Sequence, residues 1–164
     1  MAAFLLSRED DMLKPHWYLT DADWFGQLPD APRLDDDEHA VIDQLAALLH
    51  GETHFDPAKT VAVTRVILLA VEHLGDTMTY AAGIHDLTEL ARLLCGLNLI
   101  QAHLTQTVQR IAEHVNGRTF TGLAHAPAAG VQALTDSLST AGANGEMFAG
   151  HLKEAHLILR ALTT

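Results

Sequence analysis

From Asp35 onward, hydrophobic positions recur three and four apart, and helix punctuation falls between the runs. Asp35 with Glu38 has the form of a capping box, Val41, Ile42, Leu45, Leu48 and Leu49 follow at helical spacing, and Gly51 suits a helix end. Asp56-Pro57 then supplies an N-cap and a first-turn proline for a second helix, running to about Ala82. That helix is apolar nearly all round at VILLAV (66–71), which predicts a buried central element. Its β-branched residues leave a strand conceivable over Thr60 to Val71, but no second strand candidate exists to pair with it.

Gly83 and a second capping box, Asp86 with Glu89, introduce the strongest periodicity in the chain. Leu87, Leu90, Leu94, Leu97, Gln101, Leu104, Val108, Ile111 and Val115 form an a/d seam over about four heptads, interrupted once by Gln101. Asn116-Gly117 closes this helix, and a linker runs from Arg118 to Ala126. A fourth helix is predicted from Pro127 to about Thr140, with Val131, Leu134 and Leu138 inward. The small-residue segment AGANG (141–145) predicts a break, after which a fifth helix carries Phe148, Leu152, Ala155, Leu159 and Leu162 on one face.

Residues 1–34 lack this order. They hold Phe4, Trp17, Tyr18, Trp24 and Phe25, five of the nine aromatics, together with Pro15, Pro29 and Pro32. The expected architecture is all-α: an irregular, aromatic, acidic N-terminal arm (1–34), then an antiparallel bundle of about five helices (35–164).

Charge sharpens the division. Residues 1–56 carry thirteen Asp and Glu against three Lys and Arg, and residues 57–164 carry eight against seven, so nearly all of the net −11 lies in the first third. An acidic face repels phosphate backbones and anionic lipid, which argues against nucleic acid and membranes as partners and leaves a basic protein surface as a better one. The DDDE run (35–38) also has a local explanation, since carboxylates favour the positive end of a helix. A single cysteine, Cys95, and an opening without a basic leader region fit a cytoplasmic protein.

Candidate chemistry is sparse. HGETHF (50–55) offers His50, Glu52 and His54, but not in the order of a zinc-binding HExxH motif, and it reads as the joint between two helices. His73 and Cys95 would lie level if their helices fold back on each other, yet Cys95 sits within ARLLCGL, where a small apolar core residue is the ordinary role. His151 and His156 are five apart, about 140° around a helix, and do not form a two-ligand face. No catalytic, metal or cofactor motif emerges.

Two features stand above this background. Asn98, Gln101 and His103, with Thr105, form a polar band in the long seam that could fix register or line a small-molecule pocket. Trp17, Tyr18, Trp24 and Phe25 are candidate docking anchors. The sequence therefore points to a non-enzymatic interaction protein, a homo-oligomer with a dimer favoured. A small-molecule sensor or carrier is the alternative, and a small helical enzyme the third reading.

Overall fold

The computed structural model describes residues 35–49, 56–81, 87–116 and 118–163. Among the described residues are four α-helices: α1 (Asp36–Leu49), α2 (Pro57–Ala81), α3 (Leu87–His114) and α4 (Ala128–Thr163). A short 3-10 turn, Thr121–His125, precedes α4. The all-helical expectation holds for the described residues.

The helix starts follow the local chemistry. The Asp35 backbone N–H donates to Glu38 Oε2 at 3.0 Å, and the Glu38 N–H donates to Asp35 Oδ1 at 2.8 Å. This reciprocal box satisfies two groups that the first turn would otherwise leave without partners. At α2, Asp56 Oδ1 accepts from the N–H groups of Ala58 (2.8 Å) and Lys59 (3.3 Å), with Pro57 at the first helical position. The segment considered for a strand, Thr60 to Val71, lies wholly inside this helix.

After α3, Asn116 organises the reversal. Its Oδ1 accepts from the N–H groups of Arg118 and Thr119, while its carbonyl accepts from Thr119 and Phe120. The Pro127 carbonyl then accepts from Gly130 and Val131 as α4 begins.

The principal correction to the five-helix expectation concerns the last two helices. Residues 141–145 do not break the chain: α4 runs unbroken for 36 residues. Glycine disfavours a helix interior by about 1 kcal/mol relative to alanine, so the break was reasonable on propensity alone. Packing supplies the compensation. A methyl group on Gly142 would lie 2.7 Å from Gln109 Cγ, and one on Gly145 would collide with Thr105 Oγ1 and come within 3.1 Å of its Cγ2. These glycines admit side chains of α3 against the backbone of α4.

The described helices fall in two units. One contains α1 and α2, within Leu28–His85, and the other contains α3 and α4, within Asp86–Thr164. The second is an antiparallel hairpin: Asn98 of α3 bonds to Ala149 of α4, and Ala91, seven residues earlier, bonds to His156, seven residues later.

The facing surfaces are unusually small-sided. On α3 the buried positions include Ala91, Cys95, Asn98, Ala102, Thr105 and Ala112, and on α4 they include Gly142, Ala149, His156 and Leu159. Both sets follow three–four spacing, the period of two long helices packed along their length. The α3 stripe is not the predicted leucine seam. Each of its positions lies one residue beyond a seam position: Ala91 follows Leu90, Cys95 follows Leu94, and Asn98 follows Leu97.

Candidate functional site

Exact placement of the polar band separates its members. Asn98 is fully buried, and its Nδ2 donates to the Ala149 carbonyl at 2.7 Å. A buried amide without such a partner would cost about 1–3 kcal/mol, so this bond makes the position tolerable and fixes the register of α4. Gln101 is half-buried, and its Nε2 donates to Thr105 Oγ1 at 3.2 Å. The Thr105 hydroxyl donates in turn to the Gln101 carbonyl at 2.8 Å. His103 is half-buried on the following turn-face, and its carbonyl accepts from the Thr107 hydroxyl. The band is thus divided among the helix interface, the leucine stripe and the opposite side of α3.

A second polar group in the interface was not anticipated. His156 is 2% exposed, and its Nδ1 lies 2.6 Å from the Ala91 carbonyl. A carbonyl only accepts, so Nδ1 carries the proton. Nε2 is also buried and has no hydrogen-bond partner. The sequence offered a clue in the 3.6-residue period: His156 lies in register with Ala149, Leu152 and Leu159, whereas His151 does not. His151 is exposed and sits 3.9 Å from Glu154.

The remaining polar geometry is structural. Gln109 Nε2 donates to Glu146 Oε1 at 2.6 Å, linking the helices at the margin of their contact. His114 Nδ1 bonds to the Arg110 carbonyl within α3. Cys95 is fully buried on the α4-facing stripe. Among the described residues no three or more His, Cys, Asp or Glu side chains gather where they could hold a metal ion. A shallow trough along α4, lined by Gly150, Lys153, Glu154, Leu157, Ile158 and Ala161, draws these walls from a single helix.

The larger chemical feature is apolar and outward. From Leu87 to Ile111, no aliphatic member of the α3 leucine seam is buried, and Leu104 is 42% exposed. Phe148, Ile158 and Leu162 are exposed on α4. In α2, no residue from 57 to 78 is buried, and Leu69 at the centre of VILLAV is 66% exposed. The expectation that this helix is buried is corrected by that exposure. Val41, Ile42, Leu48 and Leu49 of α1 are exposed as well.

The docking candidates Trp17, Tyr18, Trp24 and Phe25, and the histidines of the 50–55 joint, lie outside the described residues. No described helix is long and apolar enough to cross a membrane. The chain matches no known family, no curated protein and no solved structure.

Proposed function

We propose that this protein is a non-enzymatic helical interaction protein that works by self-association, as a dimer. The observation that carries this reading is the exposure of large apolar side chains, foremost Leu87, Leu104 and Ile111 of the α3 seam with Phe148 and Ile158 of α4, beside the α2 run Val66 to Val71. Helices apolar on every side belong in an interior, and monomeric proteins rarely expose contiguous apolar patches beyond a few hundred Å². Association removes such surface from water at roughly 25 cal/mol per Å² of apolar area before binding costs are subtracted.

The polar band lends less support to a carrier. Asn98 is hydrogen-bonded across the hairpin and Gln101 within α3, so both amides are engaged without a ligand. For the acid-rich first third of the chain, a basic protein would be a suitable additional partner.

Light scattering coupled to size exclusion, over a hundredfold concentration range near ~1–100 µM, tests the reading. Self-association predicts a mass near twice 17.8 kDa that falls on dilution or stays constant if the dimer is tight. A single species of 17.8 kDa throughout would refute it.

A further inference from the structure

The α3–α4 hairpin has two chemically different sides, and the difference follows from counting one residue in either direction. One residue turns a helix by about 100°. Stepping back by one from each α4-facing position of α3 gives the leucine seam, including Leu94, Leu97, Gln101 and Leu104. Stepping back from the α3-facing positions of α4 gives Leu134, Ala141, Phe148, Ala155 and Ile158, with the polar Ser137, Asn144 and His151 between them. Both helices are right-handed and they run antiparallel, so this step turns each toward the same side of the plane containing their axes. The two apolar stripes therefore lie beside one another as a single face.

Stepping forward gives the other side. There α3 presents Arg92, His103 and Arg110 with Leu99 among them, while α4 presents Asp136, Glu146 and Lys153 with Leu157 among them, so this side carries charge where the other carries none. The hairpin is amphipathic as a unit, in addition to the amphipathicity of each helix.

The geometry points to a second copy of this chain as the occupant of the apolar face, hairpin against hairpin in a four-helix bundle. This rests on the self-association proposed above and names the surface that performs it. Charge permits a copy at this place. The chain carries a net −11, which opposes approach of two copies, but neither stripe contains Asp, Glu, Lys or Arg. Angle favours a bundle: in a square array each helix meets two neighbours about 90° apart, close to the 100° between the two stripes of α3.

Size also fits. The seam from Leu87 to Ile111 rises about 36 Å, and two helices with axes 8–10 Å apart present a face roughly 20 Å wide. The footprint of roughly 700 Å² approaches the ~800 Å² per partner of a standard stable interface. A second hairpin matches the length of this face. Within the chain itself, the 14 residues of α1 reach only about 21 Å and begin with Asp36, Asp37 and Glu38, whereas the 25 residues of α2 reach about 37 Å, so length sets aside α1 and not α2. Gln101 and Asn144 sit near one level, given the antiparallel register, and form a polar layer midway along the face. Such a layer penalises slipped alignments.

Three variants of the full chain test the proposal: Leu104→Glu on α3, Phe148→Glu on α4 and Leu69→Glu on α2. All three side chains are exposed in the single chain, so circular dichroism should record unchanged helix content. A charge buried across the face should raise the dimer dissociation constant about a hundredfold or more for Leu104→Glu and for Phe148→Glu. Leu69→Glu should leave it within about twofold. If Leu69→Glu dissociates the dimer while both hairpin variants leave it intact, the face is overturned but self-association survives. A monomeric wild-type chain, with the hairpin face covered by its own α1 and α2 or by another protein, overturns both. Loss of helix content in both hairpin variants would likewise count against an outward face.

Discussion

Asn98 donates to a carbonyl of α4, and one heptad away His156 donates to a carbonyl of α3. In each case the polar side chain meets an alanine, whose small size lets it reach the opposite backbone. The two bonds differ in what they leave behind. Asn98→Ala removes a buried bond and opens a cavity, and is expected to cost about 1–3 kcal/mol in urea unfolding. His156→Leu preserves approximate volume and removes the unpartnered Nε2, so stability should change by less than about 1.5 kcal/mol. A loss of several kcal/mol for His156→Leu would show that the imidazole is integral to the interface in some further way.

The glycines of α4 provide an internally controlled comparison. Gly150 has nothing within 4 Å of an added methyl, so Gly150→Ala should stabilise by about 0.5–1 kcal/mol through helix propensity alone. Gly145→Ala carries the same propensity gain but meets Thr105, and should be net destabilising because overpacking costs typically about 1–3 kcal/mol. Equal thermal shifts for the two variants would contradict the close approach of α3 and α4.

At the scale of elements, starts were readable because capping is a local exchange among neighbouring residues. Asp35 with Glu38, and Asp56 ahead of Pro57, engage the groups their types and spacing indicate. The face by which α3 meets α4 was harder to read. Large side chains dominate a hydrophobicity pattern, so Leu90, Leu94 and Leu97 obscured the smaller Ala91, Cys95 and Asn98 beside them. The same weighting made Gly142 and Gly145 look like a break, since their benefit comes from side chains of a helix about forty residues away. Limited proteolysis distinguishes the two descriptions: a continuous α4 predicts no early cleavage within 141–145, whereas a break predicts a cut there.

For the whole molecule, the sequence identified an all-helical chain with acid concentrated toward one end, but hydrophobic content could not distinguish core from interface. VILLAV illustrates the difficulty: an apolar run satisfies either environment, and here its side chains are exposed. The leucine seam presents the same ambiguity, with the added distinction that α4 already occupies the neighbouring stripe. Two hairpins joined across that seam would give the outward aliphatics of α3 and α4 the interior they lack.

Sedimentation equilibrium of the full chain and of Leu104→Glu, side by side across a dilution series, tests this most directly. A hairpin-to-hairpin dimer gives about twice 17.8 kDa for the wild-type chain and 17.8 kDa for the variant at the same micromolar concentration. A wild-type chain that remains at 17.8 kDa, or a variant that dimerises as well as the wild type, would contradict it.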